Sequence, residues 1–160
     1  MQKDHDRYKQ DYPISWEQLH RDARALARRL HDRHITWDKI VAVTRGGLVP
    51  SAIVARELSI FHIDTVCITS YDWQRQAEST VLKRVSGDGT GCLVIDDLVD
   101  TGSTAKVIRA MLPGAFFATV YAKPAGKPLV DEYVTEVSQD TWILFPWDSE
   151  IRFVKPIVGH

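Results

Sequence analysis

Two hydrophobic patterns alternate along this chain, and each predicts a different kind of element. Short apolar runs bounded by polar or small residues predict strands at 39–43, 64–70, 92–95, 115–121 and 133–137. Apolar residues spaced three and four apart predict helices that begin at Ser15, at Ser51 and near Ala105. Strands that alternate with helices predict an α/β fold, with a mainly parallel twisted sheet flanked by helices.

The stretches without these patterns suggest how the domain is organised. Residues 1–13 are polar and charged and predict a loose N-terminal extension, whereas residues 14–160 are about the right length for a single domain. Residues 71–80 are polar and lie between two strand patterns. We therefore expect a flexible flap at about 71–85 that folds over a bound substrate and excludes water.

Composition excludes several classes of protein. The chain has 160 residues and a formal net charge of −1, which argues against a nucleic-acid binder that needs a basic surface. It has no apolar run of the roughly 20 residues that cross a membrane and no signal peptide. Cys67 and Cys92 fall in predicted buried strands and fit a reducing compartment. These features predict a cytoplasmic protein, whose basic first helix allows at most peripheral contact with a membrane.

The stretch from Cys92 to Thr104 carries the strongest chemical signal. A buried strand leads into Asp96, Asp97 and Asp100, and then into a Thr/Gly/Ser loop at the start of a helix. Loop N–H groups, hydroxyls and the positive end of a helix favour a phosphate monoester. The acids repel a phosphate and better suit sugar hydroxyls, a hydrated Mg²⁺ or a proton. This combination describes a ribose 5-phosphate.

A second loop follows the strand at 39–43. Gly46 and Gly47 let main-chain N–H groups approach a ligand, and Arg45 beside them could clamp a pyrophosphate. A Gly-Gly turn is weak evidence alone and lacks the spacing of a dinucleotide or P-loop fingerprint. Lys83 and Arg84 lie within the predicted flap, and either could close on a diphosphate.

Several motifs together resemble the xanthine-guanine phosphoribosyltransferases, which are type I phosphoribosyltransferases. They lie at 45–50, 70–71, 81–84, 96–104, 122–126, 139–143 and 146–148. The resemblance runs from about Trp37 to the C-terminus and implies the type I fold, with a small base-binding hood at about 123–150. It also implies Mg²⁺ as cofactor, a homotetramer, and peripheral association of some members with the cytoplasmic face of the inner membrane.

The activity implied is purine salvage. The family moves the 5-phosphoribosyl group of 5-phosphoribosyl 1-diphosphate (PRPP) to guanine or xanthine, and less readily to hypoxanthine. Its products are the nucleotides GMP, XMP or IMP, together with diphosphate. By family pattern, Arg45, Gly46 and Arg84 bind the diphosphate, and Asp96 and Asp97 face the ribose and Mg²⁺, with Asp97 nearer the metal. The rest of the PRPP motif is Leu98, Val99, Asp100, Thr101, Gly102, Ser103 and Thr104.

The resemblance also implies a site for the purine. Asp100 would lie at purine N7, Lys123 would donate to the 6-oxo group, Trp142 would stack on the base, and the Ile143 main chain would read the 2-position. Asp100 is the predicted catalytic base. Because a lysine only donates hydrogen bonds, Lys123 would favour a 6-oxo group over the 6-amino group of adenine.

The sequence departs from the family pattern in few places. Thr44 stands where Ser is frequent and Ser103 where Gly is frequent, residues 73–79 are not recognisable, and the first twelve residues match no family role. Three alternatives stay open: a PRPP- or nucleotide-sensing regulator on the same fold, a phosphoribosyltransferase for another base, and a Rossmann-type cofactor binder, although that fold's glycine fingerprint is lacking.

Overall fold

A computed structural model describes residues 8–70, 79–148 and 154–158. In chain order its elements are β1 (Gln10–Pro13), α1 (Trp16–His31), β2 (Lys39–Thr44), α2 (Leu48–Leu58), β3 (Ile63–Ser70), β4 (Ser79–Lys83), β5 (Cys92–Val99), α3 (Ser103–Met111), β6 (Phe116–Ala122), a short 3-10 helix (Lys127–Leu129), β7 (Glu132–Glu136) and β8 (Thr141–Leu144). Residues 71–78, which include most of the predicted flap loop, lie outside the described ranges.

The main sheet has six strands in the order β4-β3-β2-β5-β6-β7. Every neighbouring pair is parallel except β3 and β4. After β2 the chain adds β3 on one side of the sheet, and after β5 it adds β6 and β7 on the other side, so the strand order reverses between β2 and β5. Ligands of open α/β sheets bind where the strand order reverses, outside the carboxyl ends of the strands. A site is therefore expected where β2 and β5 end.

Two hydrophobic cores cover the two faces of this sheet. One contains buried residues of α1 and α2 together with Ile40 and Leu93, and the other contains buried residues of α3 together with Val41 and Val94. Neighbouring residues such as Ile40 and Val41 join different cores because successive side chains of a strand point to opposite faces. The prediction of a mainly parallel sheet flanked by helices is confirmed.

Local sequence explains how the helices begin. The Ser15 hydroxyl accepts a hydrogen bond from the Gln18 N–H at 3.1 Å and caps α1. The Gln18 side chain donates to the Tyr12 hydroxyl at 2.9 Å, which ties the first turn of α1 to β1. Helix α2 begins at Leu48, three residues before the predicted Ser51, and so places Pro50 in its first turn, which proline tolerates.

The N-terminal segment differs from expectation. Strand β1 pairs in parallel with β8, and the Lys9 N–H donates to the Asp140 carbonyl oxygen at 2.8 Å. The expectation of a loose extension is therefore wrong for residues 8–13. The hydrophobic pattern did not reveal β1 because most of its side chains are exposed, and main-chain hydrogen bonds to a distant strand hold it.

Both cysteines lie on strands of the main sheet, as predicted. Cys67 on β3 is partly buried, Cys92 on β5 is buried, and both are free thiols. Within the ranges that the structure describes, every helix is too short or too polar to cross a bilayer.

Candidate active site

The ends of β2 and β5 lie side by side and bring two predicted motifs together. Gly46, just after β2, packs so closely against the Asp97 carboxylate on β5 that a side chain at position 46 would overlap it. A side chain on Gly47 would overlap the carbonyl oxygens of Val43 and Ile95. Gly47 has φ of −79°, an ordinary value, so close approach rather than an unusual backbone angle requires this glycine.

Asp96, which is buried, and Asp97, which is partly buried, form a pair of neighbouring carboxyls near the end of β5. Asp96 accepts a hydrogen bond from the Asp97 N–H at 2.9 Å, and Asp97 accepts one from the Leu98 N–H at 2.7 Å. Burial raises the pKa of Asp97 to about 6. Burial and the neighbouring Asp97 charge raise the pKa of Asp96 well above its usual value. A cation beside this pair would favour the ionised carboxylates.

The chemistry of this pair fits Mg²⁺. Carboxylate oxygens are hard ligands, and proteins commonly hold Mg²⁺ with one or two carboxylates while water and substrate phosphates complete the shell. Across residues 8–70, 79–148 and 154–158, no group of three or more His, Cys, Asp or Glu side chains converges as a metal cluster.

A cavity of about 650 Å³ opens beside the pair. Its walls are Arg45, Gly46, Leu48, Val49, Asp97, Trp147, Asp148, Val154 and Pro156. Burial raises the pKa of Asp148, and the nearby Arg45 guanidinium opposes that rise. The cavity therefore has both a cation and carboxylates on its walls, as a site for a metal-bound anion requires.

The phosphate loop predicted at Thr101–Thr104 forms the start of α3. Gly102 caps the helix with φ of +91°, a left-handed conformation that favours glycine, and α3 begins at Ser103. The hydroxyls of Thr101 and Ser103 lie 3.1 Å apart and face the same turn. The first N–H groups of a helix have no partner within it, so this turn can hold a phosphate.

A second polar cluster surrounds Asp100, at the end of β5. The Lys123 side chain is 1% exposed, and its ammonium donates to Asp100 Oδ2 at 2.9 Å. The Gln139 amide donates to Asp100 Oδ1 at 2.7 Å, and the Tyr8 hydroxyl donates to Oδ2 at 3.2 Å. Sequence analysis assigned no role to either residue: Tyr8 lies outside every motif, and Gln139 opens the 139–143 motif, in which only Trp142 and Ile143 received a role.

The predicted base-stacking residue lies next to this cluster. Trp142 is partly buried on β8, and the buried Ile143 follows it. The Tyr8 ring is 4.9 Å from the Trp142 ring and 4.6 Å from the Lys123 ammonium. Because Tyr8 touches Asp100, Lys123 and Trp142 at once, those three predicted base-binding residues surround one small space.

Arg84 is the one predicted site residue that the structure does not bring to the others. It is exposed and lies just beyond β4, which β3 separates from β2. Its neighbour Lys83 donates to Asp64 at 2.7 Å and to the Thr65 carbonyl oxygen at 2.6 Å. Lys83 is thus engaged on the sheet edge, and contact between Arg84 and a diphosphate stays a prediction.

Comparison with known proteins places this geometry in a family. A model described as the phosphoribosyl transferase domain matches residues 15–153. A xanthine-guanine phosphoribosyltransferase from Desulfotalea psychrophila is 62% identical over 156 residues, which are 97% of each chain. The chain belongs to the xanthine-guanine phosphoribosyltransferase family. A second xanthine-guanine phosphoribosyltransferase, from Chromohalobacter salexigens, is 56% identical over 97% of this chain and 94% of its own.

The fold agrees with this family. A purine phosphoribosyltransferase from Pyrococcus horikoshii superposes with a TM-score of 0.75 at 27% identity, over 91% of this chain and 99% of that one. The resemblance inferred from the motifs is thereby confirmed, as is the type I phosphoribosyltransferase fold. Phosphoribosyltransferases are glycosyltransferases, so the family assignment also confirms the predicted enzyme class.

Proposed function

We propose that this protein transfers the 5-phosphoribosyl group of PRPP to guanine or xanthine, and less readily to hypoxanthine, in a Mg²⁺-dependent reaction. The products are the nucleoside 5′-monophosphate and diphosphate. The observation that carries the proposal is the ion pair of the buried Lys123 with the partly buried Asp100, which lies beside Trp142 and directly before the Thr101–Thr104 loop. A base site and a phosphate site thus share one strand end.

PRPP would span the reversal point of the sheet. The loop Thr101–Thr104 would bind the 5-phosphate, while Arg45 and the Gly46 N–H would bind the diphosphate. Asp96 and Asp97 would face the ribose hydroxyls, and Asp97 would be the nearer metal ligand. Mg²⁺, when bound, would supply positive charge for the departing diphosphate. Arg45 adds to that charge from the wall of the cavity, and Arg84 would join it from the flap.

The acids serve the other half of the reaction. As the diphosphate leaves, positive charge develops on the sugar, and carboxylates nearby stabilise it. Asp96, Asp97 and Asp100 all lie on or next to the end of β5. Asp100 would also accept a proton from the purine, because it is the acid that lies beside the base-binding residues.

Selection of the purine would depend on Lys123. A buried ammonium that only donates hydrogen bonds can satisfy a 6-oxo group, whereas it finds no acceptor in the amino group of adenine. Trp142 would supply the stacking surface, and the Ile143 main chain would contact the 2-position. Gln139 would keep Asp100 in place through its 2.7 Å hydrogen bond.

The assembly and location that the family resemblance implies are part of the proposal. A homotetramer would cover exposed apolar side chains such as Phe61, which is 96% exposed, and Leu82. Two free cysteines support a cytoplasmic location. Membrane contact would be peripheral at most, and the pairing of Arg24 and Arg29 on α1 with Glu57 and Glu132 would weaken any attraction to anionic lipids.

The direct test measures diphosphate release from PRPP and Mg²⁺ with guanine, xanthine, hypoxanthine or adenine as the only base. We expect turnover with the three 6-oxopurines and none with adenine. Lys123→Ala should lose oxopurine use and keep PRPP binding. Lys127→Ala is the matched control, since Lys127 belongs to the same loop but pairs with Glu136 at the surface.

Two results would contradict the proposal. Turnover on adenine at a rate similar to guanine would remove the role assigned to Lys123. If every base failed while PRPP still stabilised the protein against heat, a PRPP-sensing regulator on the same fold would replace the enzyme.

A further inference from the structure

Tyr8 comes from the N-terminal segment, yet its side chain lies in the proposed base site. Its hydroxyl donates to Asp100 Oδ2 at 3.2 Å, its ring lies 4.6 Å from the Lys123 ammonium, and its ring centroid is 4.9 Å from that of Trp142. These contacts reproduce what a purine requires there: a donor to Asp100, electron density facing Lys123 and an aromatic surface against Trp142.

Tyr8 and a purine cannot use these groups together. A carboxylate oxygen accepts about two hydrogen bonds, and Asp100 Oδ2 already accepts from both Lys123 and Tyr8. Carbon atoms in contact lie roughly 3.5–4.0 Å apart, so a base stacked between Tyr8 and Trp142 would need their centroids at least about 7 Å apart. The observed 4.9 Å leaves no room for a base between the two rings.

The backbone determines where Tyr8 lies and how far it can move. The Lys9 N–H donates to the Asp140 carbonyl oxygen at 2.8 Å, and β1 continues along β8 from Gln10. This pairing holds the chain immediately after Tyr8 against the strand that carries Trp142. Tyr8 itself precedes the paired strand, so its side chain can leave the site without unpairing β1 from β8.

We propose that Tyr8 is a built-in competitor of the purine, which fills the base site until the purine displaces it. The inference rests on the proposed function, since it takes Asp100, Lys123 and Trp142 as the residues that receive the base. Displacement adds a cost to base binding, and the apparent dissociation constant rises by the reciprocal of the fraction of molecules in which Tyr8 is withdrawn.

Replacement of Tyr8 measures this cost. Tyr8→Ala should lower the KM for guanine about three- to tenfold, because one hydrogen bond to a carboxylate and the ring contacts no longer oppose the base. Tyr8→Phe keeps the ring and loses the hydroxyl, so it should lower this KM by about two- to threefold. Lys9→Ala is the control in the same segment, since its exposed ion pair with Asp140 lies outside the base site, and it should leave KM unchanged.

A small phenol can restore the competition. p-Cresol has the ring and hydroxyl of the tyrosine side chain, so it should inhibit Tyr8→Ala competitively with guanine and inhibit the wild type more weakly. A calorimetric titration with GMP makes the same comparison without turnover, and Tyr8→Ala should bind GMP more tightly than the wild type.

The outcomes separate this inference from the proposed function. Suppose the wild type turns over a purine. If Tyr8→Ala then raises the KM for guanine, Tyr8 is a wall of the base site and not a competitor. An unchanged KM, or equal inhibition of both proteins by p-cresol, also overturns the inference. If the wild type turns over no base, the proposed function fails, and the GMP titration still decides whether Tyr8 opposes binding. Should Tyr8→Ala fail to show a wild-type melting transition, Tyr8→Phe decides.

Discussion

At the scale of single residues, Asp97 shows how burial prepares a group for its proposed partner. Its pKa of about 6 means that the carboxyl holds a proton two pH units above the range of an exposed aspartate. A divalent cation binds only the ionised form, so metal and proton compete for this side chain. Gly46 packs directly against this carboxylate, so the loop after β2 borders the proposed metal site.

This competition predicts a pH effect. As pH falls through about 6, Asp97 gains a proton and loses its charge, so activity at limiting Mg²⁺ should fall. A higher Mg²⁺ concentration favours the ionised form, so it should move the midpoint of the pH–activity curve to lower pH. The measurement is kcat/KM for PRPP against pH at two Mg²⁺ concentrations. Asp88→Asn, an exposed carboxyl in a remote turn, is the control. A midpoint independent of Mg²⁺ would refute Asp97 as the metal ligand.

Asp100 carries a second prediction at this scale. Asp100→Asn replaces the carboxylate that would accept the purine proton, and kcat should fall by about 10²- to 10⁴-fold. Because it also removes the counter-charge of the buried Lys123 ammonium, the melting temperature should fall as well, while the protein still folds. Steady-state kinetics and thermal denaturation check the two halves. Asp140→Asn, an exposed carboxyl that pairs with Lys9, should keep its activity. An ordinary kcat for Asp100→Asn would end its role as the base.

At the scale of elements, local residue patterns predict most of the helices and strands but not all of them. The strand–acid–loop–helix order of β5 and α3 could be predicted because each part has its own residue pattern. Strands β1 and β8 were missed because β1 is short and mostly exposed and gains its hydrogen bonds from a strand more than a hundred residues away. A pattern within one short segment contains no information about such a partner.

The cap of α1 gives a prediction for one element. Ser15→Ala removes the acceptor for the Gln18 N–H and should lower the free energy of unfolding by about 1 kcal/mol. Urea denaturation measures this loss, and Ser15→Asp, which can also cap a helix, should recover most of it. Equal stability of Ser15→Ala and the wild type would show that the cap contributes nothing.

At the scale of the whole molecule, a buried hydrogen bond joins α1 to the sheet. The hydroxyl of Tyr121, a fully buried side chain on β6, donates to Asp22 Oδ2 at 2.6 Å. Burial and the Asp22 carboxylate raise the pKa of Tyr121 above its ordinary value. The bond connects residues 99 positions apart and fixes the helix against the sheet that carries the site.

Loss of this bond should destabilise the whole domain. Tyr121→Phe leaves Oδ2 of the buried Asp22 without its donor, although Oδ1 still accepts from Arg21, and the free energy of unfolding should fall by about 1–3 kcal/mol while kcat at 25 °C stays near the wild-type value. Urea denaturation measures the change. Tyr133→Phe is the control, since the Tyr133 hydroxyl contacts Glu136 at the surface. A Tyr121→Phe protein as stable as the wild type would contradict this account.

The sequence by itself determined the α/β class, the Gly-Gly loop after β2 and the acidic end of β5 with its Thr/Gly/Ser loop. Each of these features depends on residues within a few positions of one another. Hydrophobic periodicity, glycines and helix-start residues therefore predict them from the local sequence. Roles for Lys123 and Trp142 came only from resemblance, because nothing near either residue in sequence distinguishes a buried site lysine from a loop lysine.

Only the tertiary structure decided which groups meet. It buried Asp96 beside the partly buried Asp97, packed Gly46 against Asp97, and gathered Tyr8, Gln139 and Lys123 around Asp100. Burial and hydrogen-bond partners depend on every element that surrounds a residue, so they emerge only once strands and helices pack. For Tyr8 the deciding contacts span 92 and more residues, a distance at which the chain's local pattern has no influence.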